Sequence, residues 1–106
     1  MRGGVVRVVQ HQLKPVASRQ ALTVDSTAGG VALTVPSVAI AAQLRLETAQ
    51  IRYTLDATAP TTTVGTLMEI GEILYLDSRA LLTGVRAIRT GGVSGVLQVE
   101  YLGMDV

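Results

Sequence analysis

Short runs in which apolar and polar side chains alternate, each closed by a cluster of Gly, Pro, Asp, Ser or Thr, recur along almost the whole chain. A period of two sends every second side chain to the same face, which is the pattern of a half-buried strand and not of a helix. Gln20 to Val24 alternates, Asp25 to Gly30 is a turn cluster, and Val31 to Val35 alternates again before Pro36. This spacing predicts a hairpin, with Leu22 and Val24 on a face opposite Val31, Leu33 and Val35. Thr66 to Ile70 and Ile73 to Leu76 flank Gly71-Glu72 as a second hairpin. Val85 to Thr90 and Val96 to Leu102 flank the glycine-rich turn Gly91 to Gly95 as a third, with Leu97, Val99 and Tyr101 inward and Gln98 and Glu100 outward. The tail Gly103 to Val106 is expected to be short and mobile.

Between the first two hairpins, Ser37 to Glu47 contains good helix formers, but Ala42, Leu44 and Leu46 alternate with Gln43, Arg45 and Glu47, which favours a strand. The stretch Gln50 to Gly65, QIRYTLDATAPTTTVG, is the best-specified part of the chain. It starts as a strand with Ile51, Tyr53 and Leu55 on one face and Arg52 and Thr54 on the other. It then turns at Asp56-Ala57-Thr58-Ala59-Pro60. Asp56 is placed to accept a hydrogen bond from the backbone two residues on, and Pro60 presses Ala59 into an extended conformation. Ala80 to Gly84 reads as a loop or a single helical turn.

Seven or eight short strands at this spacing, with turn chemistry between them, predict an all-β fold, an antiparallel two-sheet β-sandwich of immunoglobulin-like or jelly-roll-like type. The 106 residues allow one domain. Residues 19–106 are expected to form the sandwich and residues 1–18 an N-terminal arm or edge strand, in which Val5, Val6, Arg7, Val8 and Val9 are β-prone. Either they form an edge strand that ends before Pro15, or they pair with something outside the domain.

Composition removes several functions. Cysteine is absent, so neither disulfides nor thiolate metal sites brace the fold. Nine basic and eight acidic residues are interleaved along the chain, which argues against nucleic acid and membrane partners. The apolar run at the N-terminus is interrupted by Arg7 and too short for a signal peptide, and no window approaches a membrane span, so a soluble chain without a readable address is expected.

No catalytic, cofactor-binding or metal-binding constellation emerges. His11 is the single imidazole and lies far in sequence from any acidic cluster. Glu69 and Glu72, with Asp56 or Asp77, have the residue types of a glycosidase acid pair but occur at turns, where solvated carboxylates are the ordinary finding. Ser26, Ser78 and Ser94 lie in turn clusters and would all have to recruit His11 for a Ser-His-Asp arrangement. The run Gly91-Gly92-Val93-Ser94-Gly95 lacks the Lys and the following helix of a phosphate-binding loop. Arg86 and Arg89, with Arg79 and Arg52, would form a basic patch if their strands were neighbours, suited to an acidic partner or the matching surface of another subunit. Tyr53, Tyr75 and Tyr101 each fall in an expected strand and are read as core. The candidate subunit-interface residues are therefore Val5, Val6, Arg7, Val8, Val9, Arg86 and Arg89.

Taken together, LTVP at Leu33 to Pro36, IRYTLDATAPT at Ile51 to Thr61, Gly65, IGEILYL at Ile70 to Leu76, VRAIRTGG at Val85 to Gly92 and the closing VLQVEYL resemble a group of small virion proteins of tailed bacteriophages. The resemblance runs from about Ala21 to Tyr101, and Ala57 stands where such proteins usually have the glycine after Asp. It implies a non-enzymatic β-sandwich carried on the particle, as a capsid decoration (cement) protein, a connector component or a tail accessory. Its partners would be the major capsid protein, other virion proteins or copies of itself, without cofactor, nucleic acid or membrane. It would be located in the virion, after a soluble stage in the host cytoplasm. The IRYTLDATAPT piece also resembles the corner of immunoglobulin-like domains appended to carbohydrate enzymes, which leaves a carbohydrate-binding accessory module as the alternative.

Overall fold

The computed structural model describes residues 12–105. They form β1 (Leu13–Pro15), β2 (Gln20–Val24), β3 (Ala41–Glu47), β4 (Ile51–Thr54), β5 (Thr66–Met68), β6 (Ile73–Leu76), a short helix α1 (Arg79–Gly84), β7 (Arg86–Arg89) and β8 (Gly95–Met104). Two antiparallel sheets face one another, as the alternation leads one to expect. One has the order β1-β8-β3-β6, with β2 beside β1 along the same side of β8; the other has the order β5-β4-β7. The β-prone residues Val5 to Val9 lie outside the described residues, whereas Leu13 to Pro15, within the segment read as arm or edge strand, pair with Met104 to Leu102 at the sheet edge.

β8 is the central element because it pairs with β1, β2 and β3. Its burial alternates without a break from Gly95 to Gly103. Registers align the inward residues in rows: Leu22, Leu97 and Leu46; Val99, Leu44 and Leu74; Tyr101, Ala42 and Leu76. Ala42 beside Tyr101 leaves the space that the ring fills. Against these rows pack Ile51 from β4, Met68 from β5, Ala87 from β7 and Leu82 from α1, which complete the core. Burial of such side chains is worth about 1.5–3 kcal/mol each before the entropic cost of ordering the chain.

The three expected hairpins are corrected. β2 pairs with β8, and residues 31–35 form no strand. Instead, Val31 exchanges two backbone hydrogen bonds with Ala87 in the other sheet, at 2.8 and 3.0 Å, and the Gln20 side chain takes the Thr34 amide at 3.2 Å. β5 and β6 belong to different sheets, and so do β7 and β8. Each tight turn therefore carries the chain across the sandwich instead of back along one sheet. The tail is corrected as well: β8 continues through Gly103 and Met104, Gly103 is buried, and the Asp105 amide donates to the Gln12 carbonyl at 2.8 Å.

The corner after β4 forms as its residues specify. The Asp56 carboxylate accepts the Thr58 amide at 3.0 Å, the Ala57 amide donates to the Gly84 carbonyl at 2.8 Å, and the Pro60 side chain is fully buried. Ala57 adopts a left-handed φ of 66° although it is not glycine. At Gly84 a Cβ would overlap the Leu55 carbonyl, so the helix end and the corner fit only because that side chain is missing.

Candidate functional site

Two of the four arginines expected to form a basic patch, Arg52 and Arg79, are held by backbone carbonyls. Arg52 donates through Nε to the Thr62 carbonyl at 3.0 Å and through a terminal nitrogen to the Gly65 carbonyl at 2.8 Å, pinning the loop that follows Pro60. Arg79 donates to the Pro36 and Ala39 carbonyls at 2.9 and 2.7 Å, tying α1 to the segment before β3. β4 and β7 are neighbours, with Thr54 opposite Arg86 and Ile51 opposite Arg89. Arg86 and Arg89 are three apart on β7 and so project to opposite faces. Arg89 reaches the Ser94 hydroxyl at 3.4 Å. By this register Arg52 and Arg86 share one face of the β4–β7 pair, and Arg89 lies on the other.

The candidate acids and hydroxyls also have local tasks. Glu72 closes the turn before β6 by accepting the Glu69 amide at 2.6 Å, and Glu69 accepts both of its hydrogen bonds from the Gln50 side chain, at 2.9 and 3.1 Å. Hydrogen bonds from the Thr58 side chain and amide hold the Asp56 carboxyl below its ordinary pKa, and Thr27 does the same for Asp25. Ser78 caps α1 by accepting the Leu81 amide at 3.3 Å. Among the described residues no three His, Asp or Glu side chains come together as a metal site, and no helix is long and apolar enough to cross a membrane. His11 lies outside the described residues.

The tyrosines divide three ways. Tyr101 is buried and its hydroxyl donates to Gln20 Oε1 at 2.5 Å; burial pushes its pKa up to about 12. Tyr53 is partly buried, and its pKa is raised by desolvation and then by the nearby Glu72 charge. Tyr75 corrects the core reading, since it is 67% exposed on β6.

Tyr75 belongs to an apolar strip that the interface residues chosen from sequence did not include. Among the described residues, β6 pairs only with β3 and β5 only with β4. These two edges lie on the same side of the sandwich, joined by the turn at residues 69–72. The members of the strip lie on different faces: Ile73 (49% exposed) and Tyr75, opposite Arg45 and Gln43, are on the outer face of β6, Leu67, opposite Arg52, is on the outer face of the other sheet, and Ile70 (60%) is in the turn between them. A slot of about 180 Å³ lies between the edges, lined by Tyr53, Met68, Glu72, Ile73 and Leu74 among others. Beside it an open groove of about 500 Å³ runs past Tyr53, Asp56, Thr66 and Leu81. The strip has a signal in the sequence: β6 is apolar at both its inward and outward positions, whereas β8 carries Gln98 and Glu100 outward.

Comparison with known proteins finds no matching family model, no matching curated protein and no matching solved structure. The geometry of this strip is therefore what bears on function.

Proposed function

We propose that this chain is a non-enzymatic structural protein of a tailed bacteriophage particle, a capsid decoration (cement) protein that stabilises the shell through subunit contacts. The observation that carries the reading is the exposure of Ile73 and Tyr75 on the outer face of β6, with Ile70 and Leu67 exposed close by, at two strand edges that pair with nothing further among the described residues. Exposed apolar edge strands are an aggregation hazard in a free monomer and an asset where assembly covers them. Lattice symmetry multiplies a modest contact of this kind into a stable assembly. The partners in this reading are the major capsid protein or another virion protein, and further copies of this chain. Quantitative mass spectrometry of purified particles tests it. A copy number near that of the shell protein, or a simple fraction of it, is expected for a decoration protein. A handful of copies would assign the chain to a connector or tail accessory, and its absence would end the virion reading.

Tyr75 favours one second reading, the carbohydrate-binding module, because an exposed aromatic face is what a sugar ring stacks on. In that case Tyr75→Ala abolishes glycan binding while leaving the fold intact.

A further inference from the structure

The proposed assembly role leaves open which surface receives residues 1–11, and the sheet edge at β6 has the features of that acceptor. We propose that residues 2–7 of one copy add to β6 of another copy as an antiparallel strand, filling the slot between β5 and β6. The inference rests on the subunit-contact reading above and names both halves of the contact.

Charge supports the pairing. Glu72 and Asp77 bracket β6 five residues apart, and among the described residues neither is in an ion pair. Arg2 and Arg7 are also five residues apart. An antiparallel register sets Arg7 opposite Glu72 and Arg2 opposite Asp77. It sets Val6 opposite Ile73 on the outer face, where Ile73 is exposed, and Val5 opposite Leu74 facing the slot. Gly4 then lies opposite Tyr75, whose ring is free to cover it. Every strand pair among the described residues is antiparallel, so the added strand continues the pattern of its sheet.

Geometry requires a second copy. Glu72 bonds Leu46, which is in register with Leu97, whereas Gln12 bonds Asp105 at the other end of β8. Eight residues of strand separate these levels, about 27 Å, and the four interstrand spacings from β1 to a strand added outside β6 add roughly 19 Å sideways. The five residues from Arg7 to Gln12 reach at most about 18 Å. A chain in this register therefore cannot pair with its own β6.

The chain has no cysteine, which makes a crosslink specific. The full-length protein carrying Val6→Cys and Ile73→Cys, concentrated and mildly oxidised, is expected to give a ladder of covalent dimers and higher oligomers, since directly opposed strand residues meet disulfide geometry. An excess of the peptide MRGGVVRVVQH should suppress the ladder. Adding Arg2→Glu should reduce it roughly fivefold, and Asp77→Arg on top should restore it. A disulfide closed within one chain, an equally strong dimer from Ile73→Cys alone, or no disulfide at all would each overturn the proposal. The experiment needs only purified protein, so a particle count of zero would remove the virion reading without touching this result, and a failed crosslink would leave the particle count standing.

Discussion

Two side chains of this protein carry measurable consequences of their local surroundings. Ala57 holds φ at 66°, a region in which Cβ crowds the backbone and glycine is the unstrained choice. The hydrogen bond that its amide donates to the Gly84 carbonyl holds it there. Ala57→Gly is expected to stabilise the fold by about 0.5–1 kcal/mol, seen as a rise in Tm of roughly 3–6 °C; an unchanged or lower Tm would contradict the strain argument. Thr48 has φ of 80° within the turn closed by the Ala49 amide on the Glu47 carbonyl, so strain is not confined to one corner. Tyr101 supplies the second case. Its phenol is buried with a pKa pushed up to about 12, and its hydroxyl must stay protonated to donate to Gln20. The unfolded chain gives up this proton near its ordinary pKa of about 10, so Tyr101 contributes stability that is complete below that pH and is lost as pH rises towards 12. Tyr101→Phe should flatten the fall in stability over that interval in denaturant melts collected from pH 9 to 12, and an unaltered slope would place the alkaline sensitivity elsewhere.

At the scale of elements, the junction between α1 and the corner after β4 depends on one missing side chain. Gly84 is buried and a Cβ there would overlap the Leu55 carbonyl, which is backbone and has no rotamer by which to yield. Gly84→Ala is expected to cost about 2–3 kcal/mol. At Gly91 a Cβ meets nothing within 4 Å, so Gly91→Ala is the matched control, and urea midpoints of the two variants should differ clearly. Most elements were legible in the chain. β3 was separable from a helix because Gln43, Arg45 and Glu47 interrupt its apolar residues at a period of two, and the inward set of β8 was readable as Leu97, Val99 and Tyr101. Gly84 was not legible as a close-packed position, because its constraint comes from Leu55, nearly thirty residues earlier. The same holds for the candidate site. Val5 to Val9 were chosen for β-propensity, while Ile73 and Tyr75 were taken for core or hairpin residues, since an apolar strand reads alike whether or not its outer side is covered.

At the scale of the molecule, β8 pairs with strands near the start and the middle of the chain, and among the described residues β4–β5 is the one adjacent pair in sequence that also pairs in a sheet. Loop closure must therefore precede most of the stabilising contacts, so folding is expected to take milliseconds to seconds; a stopped-flow relaxation in microseconds would be inconsistent with this topology. Alternation by itself determined which side chains face inward, and the Asp, Gly and Pro clusters determined where the chain reverses. Both are local properties, set by the pleat and by the φ preferences of single residues. Whether a reversal returns along one sheet or crosses to the other was decided only in the tertiary structure. Three turns that read as hairpins all cross, because β2 and β6 pair with β8 and β3, and Val31 with Ala87, instead of with the segments next to them in sequence. Tertiary structure also left the outer edges of β5 and β6 without a partner among the described residues, beside the exposed Ile73 and Tyr75 on which the proposed function rests.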